Sequence, residues 1–241
     1  MRHSSYAFIS ILFLLVSTIL APRIVFAEPL DGQPSGEVFT GGTLSGNSWI
    51  SWAGAVKSLS SGLYDEGWRI RAFGAYGQYG FISGNQSNSA NPTLFEITPG
   101  YQFKKGPLIS KLYMGLHGEH HKFKRSDPGN KIAGMGYGFK VISENWIDLP
   151  MNSFASLDGS FSILNTSYMG MLRVGTAKYV DRLFLGPEVQ IIGNEENYYF
   201  HFGGFARWKM EDSQIEGSAG FAKDFDKKNT PYFSISWLKK F

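Results

Sequence analysis

Few residues in this 241-residue chain are spaced for chemistry. The densest group is His117-Gly118-Glu119-His120-His121, three histidines and a carboxylate within five positions. In an extended segment, period two puts His117, Glu119 and His121 on one face, a donor set that could hold a metal ion. A polar strand end near the outer surface explains the same run more simply, and no metal is expected. Asp158 and Glu188 would serve as a glycosidase pair only with a sugar held between them at the correct carboxylate separation, so charge pairing inside the fold is the favoured account. His201 or His117 with one of many serines could form a hydrolase site for lipid or polysaccharide, because such sites are not local in sequence. The sequence holds no Gly-x-Ser-x-Gly elbow and no His-Glu-x-x-His motif. Gly134-Met135-Gly136-Tyr137-Gly138 follows no strand–helix–strand unit and is no dinucleotide loop. Such glycines read as strand positions that permit curvature or close packing against a bulky neighbour. The expectation is a protein without enzymatic activity or cofactor.

The elements that carry these residues begin after a leader. Met1-Arg2-His3 is a positive start, Tyr6 to Leu20 is almost wholly apolar, and Val25-Phe26-Ala27 offers compact residues at the positions signal peptidase accepts. The apolar core of about 15 residues is short of the roughly 20 needed to span a bilayer as a helix. We therefore expect a signal peptide over residues 1–27, a short lead over 28–35 and one domain over 36–241. There is no cysteine, which excludes a disulfide framework, a thiolate metal site and a cysteine nucleophile. A formal charge of +3 gives no case for nucleic acid as a partner. Hydrophobic residues at 43% exclude a disordered polar tail.

Twenty-nine glycines exceed the roughly 7% of average usage, and aromatics reach 16%. The chain after Ala27 divides into about twelve segments with period-two alternation, near 36–43, 48–58, 67–81, 93–104, 107–123, 131–143, 150–162, 166–176, 181–192, 197–209, 213–223 and 231–241. Trp68, Ile70, Ala72, Gly74 and Tyr76 share one face; Arg69, Arg71, Phe73, Ala75 and Gly77 share the other. Tyr198, Phe200, Phe202, Gly204, Ala206 and Trp208 form an unbroken apolar face. The polar runs 83–92, 124–130, 193–197 and 224–229 are expected as outer loops, and 104–106, 144–149 and 210–212 as inner turns.

These features predict an all-β fold, a transmembrane antiparallel β-barrel with both ends on the periplasmic side. In a soluble sandwich, so many strand glycines would leave the core thinly filled, whereas in a membrane barrel the apolar face meets lipid. Tyr198 and Trp208 are ten residues apart; at about 3.3 Å rise and 45° tilt that is a height of about 23 Å, close to the apolar band of about 25 Å. The in-phase series Phe233, Ile235, Trp237 and terminal Phe241 looks like the signal read by outer-membrane assembly machinery. The expected location is the outer membrane, with its lipid as a partner.

The less apolar face of each strand points inward, which places Arg69, Arg71, Glu96, Lys111, His117, Glu119, Lys140, Asp158, Glu188, His201, Arg207 and Glu216 in the lumen. Charges there must be paired or hydrated. Twelve strands at about 40° tilt give a backbone radius of roughly 12 Å, leaving a passage of about 8–10 Å, or none, once side chains fill it. Arg69, Arg71, Glu96, Lys140, Asp158, Glu188, His201 and Arg207 are the candidates to face a saccharide, with Arg69, Arg71 and Glu188 foremost. Tyr76, Tyr101, Tyr113, Tyr137 and Tyr199 could supply aromatic surface beside them, or belong to interfacial girdles.

Ala53-Gly54-Ala55-Val56 and Gly67-Trp68-Arg69-Ile70-Arg71-Ala72-Phe73-Gly74-Ala75-Tyr76-Gly77 resemble the cellulose biosynthesis protein BcsS family of alphaproteobacteria. Gly100-Tyr101-Gln102 before Gly106-Pro107-Leu108, Gly138-Phe139-Lys140-Val141, and Gly186-Pro187-Glu188-Val189 leading to Gly193-Asn194-Glu195 follow in the same order. The resemblance runs from about Phe39 to the C-terminus and carries no catalytic motif. It implies a secreted or outer-membrane component of cellulose synthesis, with cellulose or another glucan and the cellulose synthase machinery as partners. The expected function is assistance with export or surface handling of this exopolysaccharide. The alternatives are a barrel-wall hydrolase and a closed structural barrel whose outer loops, such as 83–92, bind glucan.

Overall fold

A computed structural model describes residues 33–60, 62–83, 86–127, 129–223 and 229–241. The expected signal peptide and residues 28–32 of the expected lead lie outside the described residues. Twelve strands follow in order: β1 (Gly36–Ser45), β2 (Ser48–Ser58), β3 (Gly67–Ser83), β4 (Gln86–Lys105), β5 (Leu108–Phe123), β6 (Gly134–Leu149), β7 (Ser153–Ser162), β8 (Tyr168–Thr176), β9 (Leu183–Gly193), β10 (Tyr198–Lys209), β11 (Ser213–Lys223) and β12 (Asn229–Lys240). Each pairs antiparallel with its sequence neighbours, and β1 pairs with β12 from Glu37 opposite Lys240 to Ser45 opposite Tyr232. The sheet is thus a closed barrel, which leaves no sheet edge in lipid. The terminal Phe241 completes the seam: its carbonyl accepts from the Ser35 and Gly36 amides, and its own amide donates to Gly36.

Alternation sorts side chains as expected. Phe200, Phe202, Ile215, Phe221, Phe233, Ile235 and Trp237 stand exposed on the outer wall. Tyr198 and Trp208, at the two ends of β10, are 40% and 45% exposed, as lipid-facing girdle residues should be. Inward positions in the same strands are buried, among them His201, Phe205, Arg207, Glu216 and Ser218.

Two boundaries differ from the sequence reading. The polar run 83–92 is not an outer loop: β3 continues to Ser83 and β4 begins at Gln86. Pro92 cannot donate to a ladder. The strand accommodates it by opening the β3–β4 pairing between Tyr76 opposite Thr93 and Tyr79 opposite Ala90, where the Asn91 side-chain amide donates to the Gly77 carbonyl at 3.0 Å. Residues 144–149, expected as a turn, are the end of β6, which pairs with β7 from Lys140 opposite Ser162 to Leu149 opposite Ser153.

Strand length is uneven. β3 to β6 have 17, 20, 16 and 16 residues, against 9 to 12 for the others. The surplus lies at the end away from the chain termini. There β3 continues past Gln78, which pairs with Trp49 near the start of β2, and β6 extends beyond Lys140, which pairs with Ser162 at the end of β7. Four strands therefore form a wall that rises above the rest of the rim. With the termini periplasmic, the wall stands on the extracellular side.

Glycine serves close approach where Val174 faces Gly186. Pro187 interrupts the β8–β9 ladder between Arg173 opposite Glu188 and Thr176 opposite Leu185, and a Cβ on Gly186 would overlap the Val174 carbonyl oxygen. Gly186→Ala should therefore abolish the mobility difference between unboiled and boiled gel samples that marks a folded barrel. Gly74→Ala, whose Cβ would meet only the Leu94 carbonyl oxygen at 3.7 Å, should retain it.

Candidate functional site

The barrel interior is held by residues that alternation alone turns inward. Around β3 to β6, Arg71 donates to Glu96 at 2.7 Å, and Lys140 from β6 also binds Glu96. Arg71 Nε lies 3.8 Å from Glu144, and Lys111 reaches Glu144 at 3.3 Å and Glu37 on β1 at 3.7 Å. On the other side Arg173 donates to Glu188 at 2.5 Å and lies 3.0 Å from Glu216, which also accepts from Arg207 at 2.6 Å. Tyr232 donates its hydroxyl to Glu188 at 3.1 Å. Several of these contacts join strands that are not neighbours: β3 to β6, β5 to β1, β8 to β11 and β12 to β9. They reach into the lumen and tie strands three or four places apart around the barrel.

The periplasmic half is filled. Arg69 has no accessible surface, and one guanidinium nitrogen donates to the carbonyls of Leu63 and Asp65 at 3.0 and 2.8 Å. Gln102 donates to the same two carbonyls. The connection between β2 and β3 is thereby folded into the barrel end, with the Leu63 amide bound to the Pro34 carbonyl. Tyr113, also without accessible surface, lies beside this plug. Across the lumen, Phe154, Phe184, Phe205 and Ala177 make a buried apolar cluster against Trp146, whose ring stacks on Phe154 at 3.9 Å. The Arg207 guanidinium lies 4.9 Å from the Phe154 ring centre and 5.2 Å from that of Trp146.

The extracellular half is organised by Glu119. This carboxylate accepts from Asn165 at 2.8 Å and Ser167 at 3.0 Å, and lies 3.2 Å from both His117 and His121. Asn165 belongs to the short turn Leu164–Thr166 between β7 and β8, which folds inward over β6. Cβ atoms on Gly136 and Gly138 would fall 2.6 and 2.8 Å from Leu164, so these bare positions seat the turn. That is the close-packing role read from the Gly-x-Gly-x-Gly run. His117 Nδ1 lies 2.9 Å from Ser162 Oγ, which in turn accepts the Leu164 amide at 3.1 Å. The His–Glu run therefore anchors a turn, and no group of three metal-ligating side chains suitable for an ion occurs among the described residues.

All twelve lumen residues named from sequence face inward. Asp158 and Glu188 are not brought together as a pair: Glu188 is engaged by Arg173 and Tyr232. Three charged participants were missed. Glu144 was assigned to a turn, although it shares parity with Lys140; Glu37 sits at the start of β1; and Arg173 lies on a face whose other members, Met169 and Met171, are apolar. Of the tyrosines, Tyr76 and Tyr137 face outward and exposed, and Tyr101 packs edge-on against Trp68 on the outer wall at 5.4 Å. Tyr199 alone reaches a cavity at the extracellular mouth.

A closed twelve-stranded barrel with a lipid-facing band and a charged lumen narrows the comparison to outer-membrane proteins. The family model for cellulose biosynthesis protein BcsS matches residues 38–241. The chain belongs to that family. No curated protein sequence matches it. Among solved structures, the KdgM porin is similar at a TM-score of 0.51 and 7% identity, over 85% of this chain and 99% of that one. The TodX deltaS2S3 mutant, a monoaromatic hydrocarbon channel, has a TM-score of 0.54 and 8% identity over 87% and 91%. The β domain of the Bordetella autotransporter BrkA has a TM-score of 0.50 and 12% identity over 87% and 99%. These likenesses give the fold, that of outer-membrane β-barrels. With the apolar outer wall, they place this BcsS-family protein in the outer membrane.

Glu96 joins two cations, and its side chain is 1% exposed. Glu96→Ala should cost about 3–5 kcal/mol of stability, because it strands both charges in the lumen. Lys131→Ala, which removes an exposed partner 3.9 Å from Glu195, should stay within about 1 kcal/mol. Denaturant unfolding of both variants in lipid vesicles measures the contrast.

Proposed function

We propose that this BcsS-family barrel handles cellulose at the outer surface of the outer membrane and is not a conduit for the extended chain. The observation that carries this reading is the filled periplasmic half of the lumen. Arg69, Tyr113 and Phe154 have no accessible surface, and the 62–65 segment is hydrogen-bonded into the opening. A glucan threaded from the periplasm would have to displace both the plug and the ion pairs that tie non-neighbouring strands through the lumen. The extracellular mouth is roomier and bears the tall wall, which suits contact with polymer outside the cell. Membership of a cellulose-biosynthesis family supplies the polymer.

A second reading, a barrel-wall hydrolase, has one observation in its favour: Ser162, His117 and Glu119 form a hydroxyl–imidazole–carboxylate series. Ser162 has no accessible surface and its oxygen already accepts the Leu164 amide, so a substrate would need the Leu164–Thr166 turn to move. Ester hydrolysis by the purified barrel that disappears in Ser162→Ala would install this reading; none is expected.

Glucan partition in a clean deletion strain, with synthase level held equal, tests the main proposal. Surface handling predicts no periplasmic accumulation, and cellulose that is released from cells or poorly attached to them. Periplasmic glucan with reduced outside cellulose would restore the conduit. The purified barrel should also give no steady conductance steps in planar bilayers.

A further inference from the structure

The extracellular mouth contains a cleft that none of the lumen pairing explains. Two cavities, of about 320 and 130 Å³, both border Phe81 and Ile82 at the top of β3. The larger lies between Ser83, the β5–β6 connection at Asp127 and Asn130, and the β9–β10 connection at Glu196 and Asn197. The smaller continues towards Tyr199, the β1–β2 connection at Ser45–Ser48, and Thr230. Together they run along the mouth beside the upper end of the tall wall. Their combined size is at the small end of the roughly 300–1,000 Å³ typical of small-molecule sites.

The chemistry of the lining is mixed in a specific way. An aromatic strip runs along the inner face of the wall: Tyr79 and Phe81 lie 5.8 Å apart, Phe81 and Phe123 5.4 Å, and Tyr79 and His121 5.9 Å. Tyr79, Phe81 and Phe123 are half-buried, a condition that leaves ring surface for a ligand. Opposite them, the side chains of Ser83, Asp127 and Asn197 have no protein hydrogen-bond partner among the described residues. Glu196 accepts the Lys131 amide at 3.3 Å through one oxygen, Oε1. Apolar ring faces on one side and hydrogen-bonding oxygens on the other match a pyranose. Its C–H face lies flat on an aromatic ring, while its rim of hydroxyls needs acceptors and donors. The equatorial hydroxyls of a β-linked glucan keep both faces of each sugar apolar, so successive units suit a strip of rings. Two carboxylates in the lining, Asp127 and Glu196, accept from neutral hydroxyls and repel an anionic sugar.

We propose that this cleft is a binding site for a short stretch of neutral β-glucan, with Phe81 as its stacking platform and Asp127 and Asn197 as its polar side. The inference rests on the surface-handling reading and names the place where the polymer is held. The mature barrel, refolded and checked by heat-modifiable gel mobility, is titrated with cellohexaose and with an oligouronate of equal length, reading intrinsic fluorescence and heat. Cellohexaose should bind and the oligouronate should not. Phe81→Ala should weaken cellohexaose at least about tenfold, as loss of a central aromatic anchor does. Asp127→Ala lies in a connection, leaves the wall intact and should also weaken binding, so the site is tested even if Phe81→Ala fails to fold. No binding to the folded barrel, equal binding of the oligouronate, or unchanged affinity in folded variants would overturn the proposal. Placing Asp127→Ala in the chromosome separates the two readings. If glucan affinity falls while cellulose stays attached to cells, the site stands and the surface-handling role fails.

Discussion

An inward charge in a membrane barrel has no bulk water on the lipid side and only a narrow lumen on the other. The rest of this structure depends on how that constraint is met. Glu96 is shared by Arg71 and Lys140, Glu144 by Arg71 and Lys111, and Glu216 by Arg173 and Arg207. Each carboxylate serves two cations, so removal of one residue leaves two others without a full complement. Three of these pairs join neighbouring strands and three span two or three strands, Lys140–Glu96, Arg71–Glu144 and Arg173–Glu216, so the network fixes the shape of the barrel as well as its charge balance. Removing a partner is costly because the remaining charges stay desolvated, even where the pair itself contributes little net stability.

The same constraint governs the backbone. Prolines 92 and 187 lie inside strands, where each denies a ladder its donor, and the sheet opens locally at both sites. At Pro92 the Asn91 amide supplies a bond to the orphaned side of the ladder. Asn88 does comparable work nearby: its carbonyl oxygen accepts the Ser89 and Arg125 amides, while its amide group donates to the Arg125 carbonyl. The polar composition of 86–91 is therefore that of a strand that stitches its own irregularities and holds the following connection to the wall.

This explains which parts of the molecule were legible. Period-two alternation is a direct consequence of strand geometry, so the twelve segments, the outer apolar face and the inward charges could be read without coordinates. Trp68 to Gly77 in β3 and Tyr198 to Trp208 in β10 face as their parity demanded. Strand ends were harder, since alternation says where a side chain points and not where pairing stops. Glu144 was lost for that reason, and the Asn- and Ser-rich start of β4 was mistaken for a loop because its residues are turn formers by local preference. The Glu119 cluster and the mouth cleft were illegible for another reason. Glu119 on β5 meets Asn165 and Ser167 from the connection between β7 and β8, and Phe81 shares a cavity with Asn130 and Asn197 from connections whose course no local pattern specifies.

The two halves of the lumen imply different tasks. At the periplasmic end, apolar rings and a hydrogen-bonded plug exclude water, and Arg69 is committed to carbonyls of the chain itself. Glu188, which by residue type could have met a saccharide, is engaged by Arg173 and Tyr232, while Arg69 gives one nitrogen to chain carbonyls and keeps Nε and Nη1 buried without a partner. At the extracellular end the short strands β7 to β10 stop early, β3 to β6 continue, and the rings of Phe81 and Phe123 stand beside oxygens with no protein partner. A barrel built to pass a polymer needs its hydrogen-bonding groups free along the whole axis. Here the carboxylates Glu96, Glu144, Glu188 and Glu216 are engaged by cations through the middle, and the atoms left without a partner there, Arg69 Nε and Nη1 and the Tyr113 hydroxyl, are buried, so the accessible oxygens that the surface-handling proposal needs are those of the mouth.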